Sequence, residues 1–167
     1  MCNAWNHSDG CRCGFGPPYD EVNARIVRLS EEVEPGRVVA ELSVWVPLQQ
    51  STRYWRLPSD GRQLVERSLE RTLQRVADDR FGSRVLRVKV AGARKGSIEY
   101  SVVLIPVVAI YKFIKDYPTL KKGIKEFCGD IRRWSRHLQI KIRGAMRRAE
   151  RRRNERTQPR IRESKGI

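Results

Sequence analysis

Arg37-Val38-Val39-Ala40-Glu41-Leu42-Ser43-Val44-Trp45-Val46-Pro47-Leu48 alternates along its length. Ala40, Leu42, Val44 and Val46 fall on one side, and Glu41, Ser43 and Trp45 on the other. A period of two is the pattern of a half-buried strand. Downstream, Ser59-Asp60-Gly61 offers helix-capping groups. Leu64, Val65, Leu69, Leu73, Val76 and Ala77 then recur at helical spacing, and Gly82 supplies a stop. Alternation returns at residues 84–90, RVLRVKV, where Leu86, Val88 and Val90 oppose Arg87 and Lys89. Gly92 to Gly96 reads as a turn, and Ser97 opens an apolar run. The expected fold class is therefore α+β, with a small β-α-β-β layer over residues 19–97. Tyr54 and Trp55 read as core side chains or as a stacking surface.

Upstream, Pro17-Pro18 closes a different kind of segment. Residues 1–16 read MCNAWNHSDGCRCGFG. Cys2, His7, Cys11 and Cys13 form a C-x4-H-x3-C-x-C pattern. Three thiolates and one imidazole can close a tetrahedral zinc shell. Gly10, Gly14 and Gly16 permit the tight turns of so short a loop. All four donors are then used and no ligand position remains for a reacting water, so the expected zinc is structural. The string CNAWNH…CRCGFG resembles the N-terminal signature of a group of small uncharacterised bacterial proteins. That resemblance covers about 16 residues. It implies a bacterial origin and a Cys/His metal knuckle over residues 1–18, and no activity.

Residues 100–111, YSVVLIPVVAIY, carry no charge. Two readings of residues 98–117 stand open. One continues a strand from Ser97 to Ile105 and starts a short helix at Pro106, all of it buried. The other makes Ile98–Tyr117 one membrane-inserted helix of about 30 Å, with Tyr100, Tyr111, Phe113 and Tyr117 as interfacial aromatics. The run also loosely resembles the hairpin-then-apolar-helix of small bacterial membrane-linked proteins.

From Leu120 the apolar positions are Leu120, Ile124, Phe127, Ile131, Trp134, Leu138, Ile142, Ala145 and Ala149. Steps of three and four predict one long amphipathic helix over residues 118–153, started by Pro118. Its polar face carries Lys121, Lys122, Lys125, Arg132, Arg133, Arg136, Arg143, Arg147, Arg148, Arg151, Arg152 and Arg153. Residues 154–167 read as a disordered tail.

The net charge of +16 is uneven: residues 119–167 hold 17 basic and 5 acidic side chains, and the rest 18 and 14. A block this basic seeks a polyanion. An apolar stripe containing Phe127, Trp134 and Leu138 beside a Lys/Arg face suits an anionic membrane. Arginine, which outnumbers lysine 12 to 5 there, equally suits the phosphates of nucleic acid. The two readings divide on the stripe: a bilayer needs it exposed, whereas nucleic acid allows it to be buried. With two histidines, four cysteines and no glycine-rich phosphate loop, catalysis is not expected. Cys128 lacks a positioned base. The first fifteen residues lack a basic stretch followed by an apolar one, so a cytoplasmic location is expected. The sequence thus predicts a non-enzymatic, zinc-binding bacterial protein at the inner face of the cell membrane, an effector in antiviral defence being the loosest extension. The alternative is a nucleic-acid-binding protein. A homo-oligomer is compatible with either, and no small-molecule substrate is implied.

Overall fold

The computed structural model describes residues 21–31, 33–47, 51–94, 98–107 and 117–157. The proposed zinc ligands Cys2, His7, Cys11 and Cys13 lie outside the described residues, as do Tyr111, Phe113 and the side chain of Tyr117.

Four antiparallel strands form one sheet: β1 (Asn23–Leu29), β2 (Ala40–Trp45), β3 (Leu86–Arg94) and β4 (Glu99–Pro106), in the order β1-β2-β4-β3. The described helices are α1 (Ser51–Arg56), α2 (Ser59–Phe81), α3 (Tyr117–Arg133) and α4 (Ser135–Thr157). The class is α+β, as the alternation implies. The sheet has one strand more than the predicted layer, however, and the added strand is β1. Its pattern breaks at a bulge between Ile26 and Arg28, which turns Val27 out to 58% exposure.

Ala40, Leu42, Val44 and Val46 are buried as the alternation implies, while Ser43, read on the outer side, is also buried. Leu42 pairs with Ile26 on one side and Val102 on the other, and Val44 with Ala24 and Tyr100. Directly opposed residues share a face. That face buries Leu42, Val44, Tyr100, Val102, Leu104, Leu86 and Val88. Val65, Leu69, Leu73 and Val76 of α2 complete the core with Tyr54 and Leu57. Helix α2 ends where Gly82, at φ +94°, donates its N–H to Asp78 O over 2.9 Å.

The apolar run is corrected on one point. Residues 99–106 are a central strand, so Ile98–Tyr117 is not one membrane-inserted helix. The strand reading holds for this part. Ile98 and alternate residues from Tyr100 to Leu104 are buried, because a strand between two neighbours uses its apolar side chains on the core. No described helix is long and apolar enough to cross a membrane.

The edge strand β3 is sealed by α2. The Gln74 amide donates to Leu86 O (2.8 Å) and accepts from the Val88 N–H (2.8 Å), while the Glu70 carboxylate accepts from the Val90 N–H (3.1 Å). Backbone groups that could pair with another chain are thereby occupied.

The long basic helix is also corrected. It is two helices, α3 packed over β1 and against α2, and α4 packed along α2. They meet at Trp134, whose N–H still bonds to Asp130 O at 2.9 Å. The reason is a shift of one residue in the stripe. Ser135, not Trp134, turns inward, and its hydroxyl accepts the N–H of Val22 at 2.6 Å. A buried backbone donor at the entrance to β1 requires such a partner, and an indole, which has no acceptor, cannot supply it. Trp134 stays 36% exposed, its ring edge-on to His137. The second helix continues to Thr157, so the tail predicted from residue 154 is helical for its first four residues. Arg80 ties α2 to α3 through Glu126 (2.8 Å) and Asp130 (2.6 Å).

Two glycines of α3 make opposite predictions. A Cβ on Gly129 meets nothing within 4 Å, so Gly129→Ala stabilises by about 1 kcal/mol through helix propensity. In a chain of this size the melting midpoint rises by about 2–4 °C. A Cβ on Gly123 would lie 2.8 Å from Cε1 of Phe81, whose ring already packs on Phe127. Overpacking of this kind costs about 1–3 kcal/mol and outweighs the same propensity gain. Gly123→Ala therefore lowers the midpoint. Thermal melts of the two variants against the parent check both signs.

Candidate polyanion-binding groove

Helix α2 sorts its polar residues by side. Glu66, Glu70 and Gln74, four residues apart, turn to the sheet. Glu66 accepts from the Tyr54 hydroxyl at 3.0 Å, and Glu70 and Gln74 seal β3. One position on, Arg67, Arg71 and Arg75 form a second row that faces away from the sheet. At 1.5 Å per residue, they stand about 6 Å apart along the axis.

That row forms one wall of a groove of about 850 Å³. The opposite wall is α4, which contributes Lys141, Arg148, Arg152, Arg153 and Arg156. Its floor is Leu64 and Ala149, and Gln63, Ser68 and Thr72 add neutral hydrogen-bonding groups. Among the described residues, eight cations line the groove against a single carboxylate, Asp60. The helices approach closely at one end, where a Cβ on Gly61 would stand 3.3 Å from Cβ of Ala149. There Arg156 pairs with Asp60 at 2.7 Å, and Arg153 donates to Arg56 O at 3.2 Å. Among the described residues, Arg67, Arg71, Arg75, Lys141, Arg148 and Arg152 form no ion pair. A concave surface of one sign concentrates its potential and draws in the opposite charge. Like charges four residues apart on a helix repel, so the row Arg67, Arg71 and Arg75 is held at a small energetic cost.

Compared with known protein families, with curated proteins and with solved structures, the chain matches none.

The sequence-predicted residues separate in the structure. All twelve basic residues named from the sequence are exposed. Arg148, Arg152 and Arg153 line the groove, while Lys121, Lys122, Lys125, Arg132, Arg133, Arg136, Arg143, Arg147 and Arg151 do not. Some of these are engaged locally: Arg132 donates to the Asn23 side chain at 3.0 Å, and Arg143 to Gln139 at 3.1 Å. Sequence reasoning missed Arg67, Arg71 and Arg75. Their repeat at every fourth residue of a predicted helix was the available signal.

The surface role expected for the apolar set is corrected for three residues. Tyr100, Phe127 and Leu138 are 0% exposed and belong to the core. The reason is geometric: helices packed on a sheet and on each other turn their apolar stripes inward. Tyr100 and Tyr54 stand edge-on, with ring centroids 6.0 Å apart. Burial raises the pKa of both hydroxyls, and the Glu66 carboxylate beside Tyr54 adds to the effect there. Both stay protonated. Cys128 is half-buried, and desolvation pushes its thiol up to about 11 against the opposing charge of Arg132. A thiol held protonated is a weak nucleophile. No group of His, Cys, Asp and Glu among the described residues could hold a metal ion.

Proposed function

We propose that this protein is a non-catalytic nucleic-acid-binding protein that holds the phosphate backbone in the groove between α2 and α4. The observation that carries this reading is a division of surfaces. The apolar stripe from Leu120 to Ala149 is buried apart from Trp134, while arginines of two helices face one another across an open groove. An anionic bilayer would need the first surface, whereas a phosphate chain needs only the second. Arginine suits the task because its planar fork bonds two phosphate oxygens at once. The Cys2, His7, Cys11 and Cys13 set, read as a structural zinc knuckle, is a separate proposal that the groove neither needs nor tests.

The test pairs two measurements on the full chain. Titration into labelled oligonucleotide at several salt concentrations should give a log–log slope of about −4 if six unpaired cations meet phosphates of an unpaired strand. Flotation with anionic liposomes should be weak and lost in high salt. Flotation that survives high salt, with no oligonucleotide binding, would replace this reading by the membrane one.

A further inference from the structure

Building on the nucleic-acid reading, we infer that the groove grips an unpaired strand by its sugar–phosphate backbone alone, without reading or stacking the bases. Two observations carry this. First, none of the described residues lining the groove is aromatic. Sites that hold single strands through their bases present aromatic rings on which successive bases lie. Here the described lining offers guanidinium and ammonium groups, one carboxylate, four neutral polar side chains and an aliphatic floor. The other aromatic side chains described lie elsewhere: Tyr54, Tyr100 and Phe127 are in the core, Trp55 packs on Tyr54 and Phe81 on Phe127, Trp45 is on β2, and Trp134 stands against His137.

Second, the two cation rows belong to helices in direct contact, with Gly61 against Ala149. Axes of packed helices stand about 8–10 Å apart. A single backbone can lie along that channel with Arg67, Arg71 and Arg75 on one side and Lys141, Arg148 and Arg152 on the other. A duplex is wider than the spacing of those axes, so it would rest on the helix rims and meet fewer of these groups. Every nucleotide carries the same phosphate, so the grip is indifferent to sequence.

The experiment compares three labelled probes against the whole protein: oligothymidylate, an abasic deoxyribose-phosphate strand of equal length, and a duplex of that length. Fluorescence anisotropy should give the abasic strand the same affinity and salt slope as oligothymidylate, with the duplex weaker. Removing the bases from a stacking site would weaken binding about 5- to 150-fold for each base stacked. A loss of that size would overturn backbone-only recognition and leave the nucleic-acid reading standing. A duplex bound as tightly as the strand would overturn the preference for unpaired chains. Failure of all three probes to bind would overturn the nucleic-acid reading itself. The variant R67Q/R71Q/R75Q should weaken oligothymidylate and the abasic strand equally; an unchanged affinity for both would move the site away from this groove.

Discussion

Replacing Arg67, Arg71 and Arg75 together by glutamine lowers affinity for an oligonucleotide about a hundredfold and leaves the fold intact. The binding loss follows from three solvent-exposed ion contacts of about 1 kcal/mol each, since 1.4 kcal/mol is a factor of ten. The salt slope should fall by about two, because three fewer phosphates are neutralised on an unpaired strand. Stability moves the other way. All three side chains are exposed and form no ion pair among the described residues. Removing the charges relieves two like-charge pairs at four-residue spacing, each worth about 0.2–0.5 kcal/mol. The thermal midpoint should therefore hold or rise slightly. Titration at several salt concentrations, with a melt alongside, separates the two effects. Unchanged affinity would sink the groove as the anion site. As a contrast, glutamine at Lys121, Lys122 and Lys125, which lie on α3 away from the groove, should change affinity far less.

Truncating Phe127 to alanine costs about 3–5 kcal/mol, the usual range for a large aromatic core residue. Its ring is 0% exposed and packs on Phe81 at a centroid distance of 6.0 Å. Domains have about 5–15 kcal/mol to lose, so this one change removes a large part of the total. The midpoint should fall by roughly 10 °C or more in a chain of this length. Trp134, the stripe residue that faces solvent, gives the control. Trp134→Ala should cost about 1 kcal/mol, mainly its edge contact with His137. Calorimetric melts of the two variants decide whether the stripe is core or contact surface. If Phe127→Ala melts with the parent while flotation is lost, the stripe is exposed and the bilayer reading returns.

Which parts of this were legible in the sequence follows from how local each signal is. Period-two runs marked β2 and β3, and the helical repeat with Gly82 marked α2, because each pattern sits within one element; β4 lay inside a charge-free run that a strand and a membrane helix explain equally well. Strand β1 was missed because the bulge at Val27 breaks its alternation halfway along. Helix α1, six residues long, is too short to show a period. The apolar stripe from Leu120 was legible in its spacing and open in its destination. A stripe looks the same whether a bilayer or the rest of the fold covers it, and only the packing of α3 on β1 and α2, and of α4 on α2, decides. The break at Trp134 was hidden for a related reason. Ser135 replaces it through a hydrogen bond to Val22, 113 residues earlier, which no local pattern encodes. For the groove, the α4 arginines were visible as a dense basic run. Those of α2 were diluted by the glutamates that alternate with them, and the pairing of the two rows is a property of packing.

The strand order also sets a schedule for the growing chain. Strands β1 and β2 are neighbours in sequence and can pair as soon as they are made. The other edge of β2 waits for β4: Ala40 meets Leu104, 64 positions later. At about 5–20 residues per second on the ribosome, that edge stands open for about 3–13 s. An open edge beside an apolar face is the state most prone to wrong pairing, so chaperone dependence should concentrate in that interval. Helix α4 follows all four described strands, so the second wall of the groove is laid down only after the sheet can close. If the groove is the anion site proposed above, a chain still assembling its sheet presents only one of its two walls.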